Sequence, residues 1–177
     1  MEEFYKSIRL LSYGLFVLCS KMGDKFNGCI VNTIFQITSD PQMVAVSLAK
    51  ENLTHDYVMS SKVFTASVLS QDASMNFIGR FGFRHGKNYD KFKEPLHYDI
   101  FITGVPIIMD YSLGYIEAVV KQTVDCGTHT LIIAKVVGGE ITGEGKPLTY
   151  AYYHEVLKGK APKNAPTYFH IPGSAQE

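Results

Sequence analysis

The sequence predicts a mainly β domain, an antiparallel barrel with a few short peripheral helices. Three observations predict it. Six or more short runs rich in Val, Ile, Phe and Thr are separated by Gly, Pro, Asn and Asp turn signals. No stretch alternates strand and helix as βαβ units would, and no G-x-G-x-x-G occurs, so a doubly wound nucleotide-binding sheet is disfavoured. The length of 177 residues suits one domain with a sizeable core.

In chain order, Phe4, Ile8 and Leu11 have near-helical spacing, and Gly14 stands where a helix stop is expected, so residues 3–13 read as a short helix. Leu15 to Lys21 is a strand. Gly23-Asp24 turns it back into the run Asn27 to Thr38, making a hairpin. That run opens on Asn27-Gly28 and carries Asn32, Thr33 and Gln36 among β-formers. Buried without partners, these polar groups would cost roughly 1–3 kcal/mol each. The run is therefore either an exposed edge or a strand with a polar ligand against it. Asp40-Pro41 ends it, and Met43 to Ala49 is the next strand. A polar loop, residues 50–56, precedes a short helix over about 55–61 that Thr54 would cap.

Val63 to Leu69 is a strand, and Asp72 to Phe81 a short helix. Residues 82–104 form a long irregular segment, of a kind that is often functional. Ile107 to Lys121 is strand-like, with a break at Ser112-Leu113-Gly114. Asp125-Cys126-Gly127 turns the chain, and His129 to Val137 is a strand ended by Gly138-Gly139. From Gly159, with Pro162, Pro166 and Pro172, an extended or disordered tail is expected.

Composition narrows the function. Seventeen basic residues balance seventeen acidic ones, which leaves no surplus for phosphate backbones and argues against nucleic acid. No apolar run approaches the roughly 20 residues of a membrane span. The start, M-E-E-F-Y-K, lacks the basic and apolar blocks of a signal peptide, so a cytoplasmic protein is expected. Cys19, Cys29 and Cys126 form no C-x-x-C, and the six histidines form no i,i+4 pair, so no metal site is expected.

Four stretches in order carry a resemblance: N-G-C-I-V-N-T-I-F-Q-I-T-S-D-P, V-S-L-A-K-E-N-L-T-H, F-G-F-R-H-G-K-N-Y-D-K-F and D-C-G-T-H-T-L-I-I-A-K-V. Together they resemble the flavin-reductase-like family of FMN-binding split barrels, over about residues 7–158. The branch most resembled holds the flavoredoxins and the flavin domains of high-molecular-weight rubredoxins. The tail K-G-K-A-P-K-N-A-P-T-Y is similar to the segment that leads, in those longer proteins, into a rubredoxin module. The resemblance implies an antiparallel Greek-key split β-barrel over 1–158 with an extended tail over 159–177.

It also implies a cofactor, FMN, with NAD(P)H as a possible electron donor. FMN needs hydrogen-bond partners along its ring edge, apolar cover on its faces and donors at its phosphate. By resemblance, Asn32 and Thr33, with Asn27, Gly28 and Cys29, lie along the ring edge. Ser47, Lys50, Asn52 and Thr54, just ahead of a helix, are the phosphate candidates, with Phe81 and Arg84 as later contacts. Asp90-Lys91-Phe92 matches a family tripeptide whose role is read as structural. His129 stands in a Gly-Thr-His turn where the family has Gly-Asp-His, near flavin and nicotinamide; it is the catalytic candidate. Tyr150, Tyr152, Tyr153 and His154 either cover the flavin or pack between subunits.

The function expected is therefore an FMN-dependent oxidoreductase or electron carrier. It would be homodimeric, passing electrons from NAD(P)H or a redox-protein donor to a small acceptor or a redox protein such as a rubredoxin. A reductase that releases reduced flavin is the alternative. A non-catalytic module on the same barrel, holding haem or another ligand, is an alternative of another class.

Overall fold

A computed structural model of the chain describes Glu3 and residues 7–168, without the side chain of Arg9. The strands are β1 (Phe16–Met22), β2 (Lys25–Val31), β3 (Ile34–Ser39), β4 (Gln42–Ala49), β5 (Val63–Leu69), β6 (Tyr98–Ile100), β7 (Pro106–Ile108), β8 (Ser112–Cys126) and β9 (His129–Ile141). The helices are α1 (Leu53–Ser61), α2 (Met75–Gly82) and α3 (Tyr150–Glu155). Seven strands form one antiparallel sheet in the order β2-β1-β5-β8-β9-β4-β3, and β6 pairs with β7 separately.

The ends of that order explain the closure. β2 and β3 lie at opposite edges of the sheet, yet only Asn32 and Thr33 join them. Three residue steps span at most about 11 Å. The sheet must therefore curl until its edges nearly meet, leaving a seam without a β2–β3 ladder. Asn32 and Thr33 sit at that seam, which accounts for polar side chains in the middle of a β-forming run.

Burial follows from the curl. Leu18, Val46, Phe64, Ala118, Ile132 and Ala134 fill the barrel interior with Val58 of α1. On the outside, Val17 and Cys19 of β1 pack with Leu15, Leu69, Leu148 and the apolar face of α2, Phe77, Ile78 and Phe81. Strand alternation sends Leu18 inward and its neighbours outward. Both faces of β1 and β5 are covered, so both read as nearly continuous apolar runs.

Several elements differ from expectation. The run Asn27 to Thr38 is two strands, broken at the seam. Asn52, not Thr54, caps α1: its extended backbone lets its side chain accept from Thr54 N at 3.0 Å, and the helix begins two residues earlier. The break before β8 falls at residues 109–111, where Tyr111 has φ +57°. Strand β8 runs on through Cys126, and Gly127, at φ +77°, makes the turn with Thr128. Gly138-Gly139 does not end β9. Paired with Ile116 of β8, a Cβ at Gly139 would lie 2.7 Å from Tyr115 O, so glycine permits the close approach there. Of the expected helix 3–13, residues 4–6 lie outside the described residues; within the rest, Ile8–Leu10 form a 3-10 turn and Leu11 is extended. Residues 160–168 fold back onto the barrel, where Thr167 bonds Asn32, while 169–177 lie outside the described residues.

Candidate functional site

A cleft of about 690 Å³ opens beside the seam. Leu15, Val31, Leu48 and Ile78 line it with Phe81, Tyr150 and Tyr153, so one wall is aliphatic and aromatic. Asn32 and Ser47 supply polar groups at its edge. A second lobe of about 530 Å³ continues past Asn52, Phe81, Gly82 and Phe83, which line both. This lobe is built from the start of the long irregular segment, with Arg84, His85 and Lys91 among its walls.

Lys91 is the unusual group. It is buried, and its Nζ donates to Gly28 O at 2.7 Å and Phe81 O at 3.0 Å. No carboxylate pairs with it among the described residues. An ammonium has three N–H donors, and these two carbonyls take two. Burial pulls its pKa below the ordinary lysine value, partly offset by the neighbouring thiols of Cys29 and Cys19. Burial in turn pushes both thiols up, which suits inert core cysteines rather than nucleophiles. Arg80 pins the segment that carries Lys91, through Nε to Lys91 O and Nη1 to Pro95 O, each at 2.7 Å.

The predicted residues separate into three groups. Cys29, Asn32 and Ser47 line the first lobe, Asn52 and Phe81 line both, and Arg84 lines the second, its guanidinium 5.3 Å from the Tyr89 ring centre. Asn27, Gly28, Thr33 and Thr54 lie behind the walls. Asn27 Nδ2 donates to Thr54 Oγ1 at 3.0 Å beneath Gly86, and Thr33 Oγ1 donates to Ser47 O at 3.1 Å. Gly28 packs on Cys19 Sγ and offers its carbonyl to Lys91. Lys50 lines neither lobe. Its Nζ pairs with Asp125 Oδ1 at 2.7 Å, across to the tip of the β8–β9 hairpin, and its backbone N–H donates to Thr128 O beside it. That pair, with the Gly127 N–H, holds the Asp125 carboxyl below the usual range.

His129 also stands outside the walls. Its Nε2 lies 3.2 Å from Asn164 O, and Asn164 lines both lobes. A carbonyl only accepts, so Nε2 carries the proton, and in the neutral ring Nδ1 accepts from Thr128 Oγ1 at 2.9 Å. Two contributors lie outside the sequence-derived site: the Lys91 ammonium, known there only within a tripeptide, and the segment 160–166. Nothing local in that segment marks it as a wall.

This cleft fits FMN on its own chemistry: an apolar wall for a planar ring, amide and hydroxyl groups at one edge, and a buried cation with a donor to spare in the adjoining lobe. Fold and cleft together define a flavin-dependent oxidoreductase on a split barrel. The comparisons agree. The model of the flavin reductase like domain matches residues 8–159, and the chain belongs to that family. It is 45% identical to a high molecular weight rubredoxin of Moorella thermoacetica, over 92% of this chain and 71% of that protein. It is 43% identical to a ferric-chelate reductase (NAD(P)H) of Archaeoglobus fulgidus, over 96% and 97%. Among solved structures it is similar to the flavin reductase HpaC complexed with NADP+, at TM-score 0.70 and 26% identity, over 85% of this chain and 93% of that one. The styrene monooxygenase flavin reductase of Pseudomonas putida S12 matches at TM-score 0.69 and 28% identity, over 82% and 90%.

Proposed function

We propose that this flavoprotein oxidoreductase binds FMN across the two lobes, ring in the first and phosphate in the second. The observation that carries this is the buried Lys91 ammonium, paired with no carboxylate among the described residues, in a lobe continuous with an aromatic cleft. Asn32 and Ser47 would meet the ring edge, and Phe81, Tyr150 and Tyr153 would cover the ring. Lys91, Arg84 and the Asn52 turn would hold the phosphate. FMN, when bound, supplies the chemistry of accepting two electrons and returning them singly or together. The chain's part is to place the ring, exclude water from its covered side and neutralise the phosphate.

The relatives' names indicate what stands on either side. NAD(P)H is the proposed donor, and a rubredoxin-like protein or a chelated metal the proposed acceptor. A homodimer is proposed because β3 leaves Phe35 and Ile37 exposed at a sheet edge, and Val124 is exposed on the projecting hairpin. Among the described residues no helix is long and apolar enough to cross a membrane; a cytoplasmic location is proposed. The test is spectroscopic. Purified protein should carry flavin absorbance or acquire it stoichiometrically on FMN titration, and NADH or NADPH without oxygen should bleach it. Protein that never binds FMN overturns the reading.

A further inference from the structure

Residues 160–168 cross the first lobe as a strap, held at three places. At its root, Gly159 lies on the Tyr153 ring, its N–H donating to Tyr153 O at 2.9 Å and its carbonyl 2.7 Å from His154 Nδ1. A Cβ at 159 would collide with three carbons of that ring, so only glycine fits without displacing the strap. In the middle, His129 Nε2 donates to Asn164 O. At the far end the Thr167 hydroxyl is a bridge, accepting from Asn32 Nδ2 at 2.6 Å and donating to Tyr150 OH at 2.9 Å. Two turns shape the segment between: Ala165 N to Pro162 O and Tyr168 N to Ala165 O, both 2.9 Å.

Asn32 belongs to both the strap and the cleft. Its amide has two N–H donors and a carbonyl; Thr167 takes one N–H, and the other groups remain for a ligand. Whatever meets Asn32 from inside the lobe also steadies the side chain that holds the strap down. A ring under the strap leaves only when the strap lifts, and lifting breaks the Thr167 bridge. We propose that the strap is a retention device: it makes this protein keep its flavin between turnovers rather than release it. This rests on the FMN reading above and adds to it the residues, Thr167 and Gly159, that set how fast flavin leaves.

The test uses the full chain loaded with FMN. Release is followed as the return of free-flavin fluorescence after dilution. Losing the Thr167 bridge should speed release about tenfold in Thr167→Val. Thr167→Ser, which keeps the hydroxyl, should release at the wild-type rate, and Gly159→Ala, whose Cβ must displace the strap or the Tyr153 ring, should release fast. Hydrogen exchange at residues 164–168 should slow when FMN is added to the wild type and respond less in Thr167→Val. Unchanged release in both Thr167→Val and Gly159→Ala overturns the retention role while leaving FMN binding standing. A wild type that never binds FMN overturns both, and is seen before any variant is compared.

Discussion

The two lobes of the cleft share Phe81 and the Gly82-Phe83 backbone, yet they are built by opposite rules. The first is an extension of the core: its wall side chains belong to the two apolar clusters, and what closes it is a strap from a distant part of the chain. The second is lined by Phe83 to Gly86 of the irregular segment, by Pro162 and Asn164 of the strap, and by an ammonium that the fold buries at some cost in desolvation. A core extension stabilises the protein with or without ligand. A buried cation with an unused donor gains its full complement of partners when a further acceptor binds, and an anion also compensates its charge. The proposed placement of ring and phosphate in different lobes rests on this contrast.

Phe81 belongs to both lobes and offers the harshest test. Phe81→Ala removes a buried ring and should lower unfolding free energy by about 3–5 kcal/mol, measured by denaturant titration. A loss confined to FMN affinity, with stability intact, would mean that the first lobe is not part of the core. Next in size, Lys91→Met should weaken FMN binding on the order of 10- to 100-fold, since charge-assisted bonds contribute roughly 1.5–3 kcal/mol. Riboflavin, which lacks the phosphate, should be affected far less; equal losses would erase the distinction between the lobes.

The same lysine predicts a pH response. Its folded pKa lies below the ordinary value of 10.5, so between the two values the unfolded chain holds more protons. Stability of the FMN-free protein should therefore rise with pH across that window, with no gain below it, and Lys91→Met should flatten the rise. FMN affinity should fall over the same range as the ammonium deprotonates. Thermal melts and titrations in matched buffers read both slopes.

Lys50 supplies the smallest effects. Lys50→Ala should leave FMN affinity within about twofold, because an exposed ion pair carries little energy and this one faces the hairpin tip. The carboxyl of Asp125 titrates below its ordinary 3.8, so its contribution is present above that value and lost as pH falls through the folded one. Asp125→Asn should remove that slight acid sensitivity. A large loss of FMN affinity in Lys50→Ala would move the phosphate to the start of α1, where residue types alone had put it.

The strands were legible because β-branched and aromatic runs bounded by Gly, Pro and Asx are local signals. Even the oddity of Asn32 and Thr33 was visible, as polarity in the wrong place. Failures came where a distant partner decided the outcome. Gly138-Gly139 looks like a terminator, but the carbonyl of Tyr115 on the facing strand makes it a close-approach site. Lys50 looks like a phosphate ligand, and the structure shows its ammonium on Asp125, 75 residues later.

By itself, then, the sequence determined the β class, most strands, the resemblance that points to FMN, and the stretches that build the cleft. Tertiary structure alone decided that the sheet closes at a two-residue seam, that Lys91 is the buried cation, and that residues 160–168 return to cover the site. The reason is one of range. Propensities and turn chemistry act within a few residues. Burial, charge partnership and the course of a strap depend on which surfaces meet, and here Thr167 reaches Asn32 across 135 positions of the chain.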